Sequence, residues 1–191
     1  METVLIADDE INIREGLKNI IDWNELGFEV CAEAANGEEA LCLILDKKPS
    51  LVLLDIRMPK IYGTDLIRMA RERGFQGRFI ILSGYSDFTY AQTAIQYGVD
   101  FYITKPIDED ELQLAICKIK KELDEEHAVS ENMELLKTKA KDVILHEIVT
   151  GNCQTLEEGL LSPREIEEMN LYAECYQVVI YEKFSENPKD A

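Results

Sequence analysis

Short apolar blocks alternate with longer stretches of helical period through the first two thirds of the chain. Val4-Leu5-Ile6-Ala7, Phe28-Glu29-Val30-Cys31, Leu51-Val52-Leu53-Leu54, Phe79-Ile80-Ile81-Leu82 and Phe101-Tyr102-Ile103 read as five strands, three of them apolar throughout. Continuous apolar strands separated by amphipathic helices indicate a parallel sheet covered on both faces. Helix starts are marked at Asn36-Gly37-Glu38-Glu39 and Asp108-Glu109-Asp110-Glu111, where an N-cap residue stands three before a Glu. Right-handed crossovers leave few ways to connect such units, and a doubly wound five-stranded α/β domain over residues 1–121 is the simplest.

From Asp108 the helical pattern runs to about Val149 without proline or glycine. A helix of that length extends ~60 Å, about twice the diameter of a small domain. Leu112, Ile116, Ile119 and Leu123 keep spacings of four and three, the seam of a coiled coil, or equally the face of a last domain helix packed on its sheet. Glu126 and Ser130 then fall on the seam, and Met133, Leu136, Ala140 and Val143 resume it out of register. Residues 122–150 therefore read as a helical linker with dimeric contacts. After Gly151 the pattern changes: Ser162-Pro163-Arg164-Glu165 is a helix start and Gln177-Val178-Val179-Ile180-Tyr181 a strand. One strand makes no stable sheet, so residues 151–191 read as the opening of a second, incomplete α/β domain.

The formal net charge of −18 divides unevenly, with 14 basic and 21 acidic residues up to Lys121 and 6 basic and 17 acidic after it. Neither part offers the Lys/Arg surface that holds a nucleic-acid backbone, so any DNA contact must come from residues not present here. The five cysteines include no C-x-x-C pair, and Cys31, Cys42 and Cys117 sit among apolar neighbours, as reduced core thiols of a cytoplasmic protein would. No apolar run approaches the ~20 residues of a membrane span, and no secretory signal pattern opens the chain.

Against this frame Asp8 and Asp9 follow the first strand, Asp55 the third, Ser83 the fourth and Lys105-Pro106 the fifth. The carboxyl ends of parallel strands meet in one crevice, which gathers these positions into one site. Clustered carboxylates want a hard divalent cation and an ammonium, and Lys105 supplies the latter. Asp55, followed by Ile56-Arg57-Met58-Pro59, is expected at the loop mouth in reach of solvent, as a nucleophile toward phosphorus that forms an acyl phosphate. Asp9 and Asp55 would hold the cation, with Asp8 as a second ligand or through water. Lys105 and Ser83 would bond phosphoryl oxygens.

Ile6-Ala7-Asp8-Asp9-Glu10, Leu53-Leu54-Asp55-Ile56-Arg57-Met58-Pro59, Leu82-Ser83-Gly84-Tyr85 and Tyr102-Ile103-Thr104-Lys105-Pro106 resemble the receiver domain of two-component response regulators. The resemblance implies a flavodoxin-like sheet in the order 2-1-3-4-5, phosphoryl transfer to Asp55 from a sensor histidine kinase, and Mg²⁺ held by Asp8, Asp9, Asp55 and the Arg57 carbonyl. It also implies a cis bond before Pro106 and a switch pair, Ser83 and Tyr102, that alters the surface of the fourth helix, fifth strand and fifth helix and thereby homodimerisation. Arg57 and Tyr85 flank the site and would tune acyl-phosphate hydrolysis. Ile21-Asp22-Trp23-Asn24-Glu25-Leu26-Gly27-Phe28, Ser83-Gly84-Tyr85-Ser86-Asp87-Phe88-Thr89-Tyr90-Ala91 and Val143-Ile144-Leu145-His146-Glu147-Ile148-Val149-Thr150-Gly151 look like regulators with an AraC-type helix-turn-helix output. These residues carry no such basic segment, so transcriptional output is an expectation about the parent protein.

Three other readings compete. An Asp-nucleophile phosphatase of the haloacid-dehalogenase type wants a second Asp at position 57, which is arginine. A flavodoxin-like FMN module would have its phosphate repelled by Asp8-Asp9-Glu10. An unphosphorylated interaction module would have no use for the complete set of carboxylates, hydroxyl and lysine.

Overall fold

The computed structural model describes residues 1–84 and 97–150, with side chains as far as 142. Tyr85, the motif residues to Ala91, the helix start at Ser162 and the strand at 177–181 lie outside the described residues. Two compact units divide at Glu125/Glu126.

The first unit holds β1 (Glu2–Ala7), α1 (Ile11–Ile20), β2 (Phe28–Ala34), α2 (Gly37–Lys47), β3 (Leu51–Asp55), α3 (Gly63–Glu72), β4 (Arg78–Ser83) and β5 (Phe101–Thr104). The strands form a five-stranded sheet in the order β2-β1-β3-β4-β5, every pairing parallel. Side chains alternate across it. Leu5, Ala7, Val52, Leu54, Phe79 and Ile81 enter one core layer with α2 and α3. Val4, Ile6, Leu51, Leu53, Ile80 and Leu82 enter the other with Leu17, Trp23 and Ile103. Central strands buried on both faces explain why their sequences carry no polar alternation.

Helix starts follow the sequence signals. Asn36 Oδ1 accepts from the Glu39 N–H at 3.1 Å while Glu39 Oε2 accepts from the Ala35 N–H at 2.9 Å. Asp108 Oδ1 accepts from the Glu111 N–H at 3.0 Å and opens a long helix, Glu109–Thr150. On that helix Leu112, Ala115, Ile116, Ile119 and Leu123 are buried in the second core layer. The seam read from their spacing is thus the face that packs on the sheet. The second unit begins at Glu126, and within it the helix exposes Val129, Met133, Leu135 and Leu136.

The expectation of three core thiols is corrected. Cys42 and Cys117 are exposed and Cys31 is half-buried, all three free. Leu41 and Ile44 take the inner face of α2, and Ile116 and Ile119 that of the long helix, which turns the intervening cysteines outward. Cys31 lies on the edge strand where the β1–β2 register shifts, Val4 pairing with Val30 and Leu5 with Ala32.

Arg71 fastens the end of α3 to the sheet. Its guanidinium donates to the carbonyls of Phe75 (2.8 Å), Gly77 (2.9 Å), Gly98 (3.1 Å) and Tyr97 (3.3 Å), and lies 5.0 Å from the Phe79 ring centroid. Among the described residues, no helix is long and apolar enough to cross a membrane.

Truncating Ile116, fully buried on the long helix, to alanine should lower the unfolding free energy by about 2–5 kcal/mol. Leu114→Ala, two residues away and exposed, should change it by less than about 0.5 kcal/mol. Urea denaturation of both variants checks the assignment of the seam.

Candidate functional site

Register builds the site. Ala7 pairs with Leu54, Asp55 with Leu82 and Ser83 with Thr104. One step along the chain from these pairs, Asp8, Asp55, Ser83 and Lys105 come to the carboxyl rim of four adjacent strands. The Lys105 N–H donates to the Ser83 carbonyl at 2.7 Å, which ties the loop after β5 to the end of β4, and the Lys105-Pro106 bond is cis.

Lys105 Nζ lies 2.7 Å from Asp8 Oδ2 and 3.0 Å from Asp55 Oδ1. Asp8 is fully buried, and its other oxygen accepts from the Glu10 N–H at 2.9 Å. Asp55 Oδ2 accepts from the Arg57 N–H at 2.8 Å. Burial pushes the Asp55 carboxyl above the ordinary aspartate range, against the Lys105 bond and charge that pull it down, and Asp8 adds to the rise. For Lys105 burial works to lower the pKa, but its bonds to Asp8 and Asp55 and their charges outweigh it and hold the ammonium above its usual value.

The expected solvent access of Asp55 is corrected: the residue is only 6% exposed and lies on the floor of the crevice. All five residues of β3 are buried, and the loop behind it folds close, with the Gly63 N–H donating to the Ile56 carbonyl at 2.8 Å. Asp9 is exposed and lines a cleft of about 390 Å³ with Arg57, Met58, Pro59 and Tyr62. Ser83 is buried at 2% exposure, and Tyr102 is half-buried, packed against the core layer of α2 and α3. The donor set around Asp8, Asp9 and Asp55 is oxygen throughout, and each engaged carboxylate oxygen keeps a second lone pair. Oxygen donors are the kind a hard divalent cation takes; the Lys105 contacts bring Asp8 and Asp55 together, while Asp9 stands exposed and no converging ligand group among the described residues includes all three.

Two contributors escaped sequence reading. Arg14 Nη1 donates to the Asp8 carbonyl at 2.6 Å, and its Nε lies 3.5 Å from a Glu33 carboxylate oxygen, so α1 grips the backbone of the first acid from behind. A Cβ on Gly63 would come within 2.6 Å of the Asp55 carbonyl oxygen, so the N-terminus of α3 can approach Asp55 only with glycine there. A lone arginine on a helix and a lone glycine at the start of one carry no sequence signal for either role.

A family model described as the response regulator receiver domain matches residues 4–117. The uncharacterized transcriptional regulatory protein YesN of Bacillus subtilis is 31% identical over 181 residues, 91% of this chain and 49% of that protein. The chain spans about half the length of the curated relatives it matches. Among solved structures, the REC domain of AraT, a response regulator from Geobacillus stearothermophilus, is 44% identical over 66% of this chain and 98% of its own, with a TM-score of 0.62. The CheX-CheY-BeF3-Mg+2 complex from Borrelia burgdorferi matches at 27% identity, covering 62% of this chain and 88% of that one, with a TM-score of 0.57.

Because burial raises the Asp55 pKa, the ionised carboxylate opposes folding. Its contribution to stability is present below the unfolded aspartate pKa of ~3.9 and is lost as pH rises through the higher folded value. Asp55→Asn should therefore melt higher than the native protein at pH 7 in the absence of metal, with the difference closing toward pH 3. Thermal melts across that range test the sign.

Proposed function

The chain belongs to the response regulator receiver family and carries the receiver domain of a two-component response regulator, and from that premise we propose that Asp55 accepts a phosphoryl group from a sensor histidine kinase. The observation that carries the reading is the shared ammonium, with Lys105 within 3.0 Å of both Asp8 and Asp55 at the rim of the sheet. Two buried carboxylates and a lysine in contact form a site whose charge balance shifts when a dianionic group arrives.

A carboxylate oxygen of Asp55 attacks phosphorus, the bond from phosphorus to the donor histidine breaks, and its electron pair leaves on the imidazole nitrogen. The Arg57 N–H holds one oxygen of Asp55 in place during the attack. Lys105 is positioned to exchange one carboxylate partner for a phosphoryl oxygen, a charge-assisted bond of the stronger kind. Asp8, Asp9, Asp55 and the Arg57 carbonyl are the groups that would hold Mg²⁺, which would neutralise charge between carboxylate and phosphoryl oxygens. Ser83 at the end of β4 would take another phosphoryl oxygen, and Tyr102 on the neighbouring strand would turn toward the space it leaves.

The consequence is regulatory, with the acyl phosphate as a signal rather than a turnover intermediate. The change at β4 and β5 would bias a homodimer formed through the surface that includes β5 and the long helix. The transcriptional regulatory proteins that share this sequence support an output in transcription, and our reading takes residues 122–150 as a helical linker and residues 151–191 as the opening of a second α/β domain on the way to an AraC-type DNA-binding domain. Such a protein works in the cytoplasm, where the kinase presents its phosphohistidine.

Intact mass after incubation with Mg²⁺ and acetyl phosphate tests the reading. The native chain should gain one phosphoryl group, and Asp55→Asn and the metal-stripped protein none. No gain under conditions that phosphorylate a control receiver would instead favour an unphosphorylated interaction module.

A further inference from the structure

Asp8 and Asp55 are locked by Lys105, but the third acid of the site has no such anchor. Asp9 is exposed, and among the described residues its carboxylate makes no hydrogen bond or ion pair. Its place is therefore decided by backbone. Two peptide units flank the Asp9 Cα, and each is held by a side chain. In the unit after it, the Glu10 N–H donates to Asp8 Oδ1 at 2.9 Å. In the unit before it, which joins the two acids, the Asp8 carbonyl accepts from Arg14 Nη1 at 2.6 Å. Fixing both units fixes the two soft dihedrals of Asp9 and with them the direction in which its side chain leaves the chain.

Arg14 is placed for that carbonyl rather than for the ion pairs beside it. The tie between α1 and β2 is already made by Lys18, whose ammonium lies 2.7 Å from Glu33 and 2.8 Å from Glu15. Arg14 Nε stands 3.5 Å from the other oxygen of Glu33, buried and without a hydrogen bond among the described residues. A guanidinium whose side chain is only 12% exposed, and which leaves one donor unmet while another makes a short bond, owes its position to that bond.

We propose that Arg14 is a positioning residue for Asp9: by holding the peptide that joins the two acids, it sets where the Asp9 carboxylate stands relative to the Asp8–Asp55 pair, and so how tightly the three take a hard divalent cation. The inference rests on the reading of these acids as the Mg²⁺ ligands beside the phosphoacceptor. Arg14 touches neither the cation nor the phosphoryl group. It governs cation affinity and leaves the transfer step, once the cation is in place, to the residues already described.

Two readouts on the full chain test the role: Mg²⁺ affinity by calorimetric titration without a phosphodonor, and the rate of phosphoryl gain from acetyl phosphate at saturating Mg²⁺, by intact mass. Native protein, Arg14→Met, Arg14→Lys and Lys18→Met are compared. Arg14→Met should weaken Mg²⁺ binding by about tenfold, the scale for losing a group that orients a metal ligand, with the saturated rate close to native. Arg14→Lys, with a single ammonium in place of the fork, should recover part of the affinity. Lys18→Met, which breaks the neighbouring helix–strand tie without touching the Asp8 carbonyl, should bind Mg²⁺ as the native chain does. Equal weakening in Arg14→Met and Lys18→Met, or native affinity in both Arg14 variants whatever their rates, overturns the inference. Should Arg14→Met fail to fold, Arg14→Lys set against Lys18→Met decides the same question. A native chain that binds no Mg²⁺ overturns the cation reading and this inference with it. One that binds Mg²⁺ but gains no phosphoryl group overturns the phosphoacceptor reading alone, and the affinity differences still decide the role of Arg14.

Discussion

One ammonium group shared by two buried carboxylates sets the terms for the rest of the site. Lys105 contacts Asp8 at 2.7 Å and Asp55 at 3.0 Å. Two unit charges ~4 Å apart repel by roughly 4 kcal/mol at an effective dielectric near 20, so acids gathered this closely need a cation between them. The surrounding structure serves that contact. Parallel pairing brings four strand ends level, the cis Lys105-Pro106 bond follows the loop tied back to Ser83, Arg14 holds the Asp8 carbonyl, and Gly63 leaves room behind Asp55. Each of these fixes backbone, and the side-chain chemistry follows from where the backbone is fixed.

The ordering of charge also explains why a modest chemical event has leverage. The phosphoryl group proposed for Asp55 would add about −1.5 to −2 charges beside an ammonium already committed to two carboxylates. The balance can be restored only by bringing in a cation or by moving hydroxyl and lysine toward the new oxygens. Burial raises the Asp55 pKa and so disfavours its bare anion.

Most of the fold was legible because its rules are local. Apolar runs such as Leu51–Leu54 admit only a doubly covered strand, and Asn36 with Glu39 marks a helix start that the hydrogen bonds reproduce. The gathering of Asp8, Asp55 and Lys105 was legible, since each ends or directly follows a parallel strand, but the burial of Asp55 was not. Sequence order says that Asp55 follows β3 without saying how far the next loop folds over it. Solvent exposure of the cysteines was misjudged for a related reason: an apolar neighbourhood in sequence spans both faces of a helix, and Cys42 and Cys117 fall on the outer one. Arg14 and Gly63 act through backbone atoms of distant residues, and no pattern within their own segments encodes that.

A sheet whose five strands all run one way has two unlike rims. The carboxyl rim carries the acids, the lysine and the hydroxyl. At the opposite rim Gly27, Ser50 and Gly77 precede their strands, and the contacts there hold turns and strand starts, such as the Glu2 N–H on the Gly27 carbonyl, the Arg78 N–H on that of Ser50 and the Arg71 guanidinium on that of Gly77. That separation divides the labour of sequence change. Substitutions on the second rim alter how well the domain holds together and leave its chemistry untouched, so lineages can retune durability and signalling as two independent traits on one small scaffold.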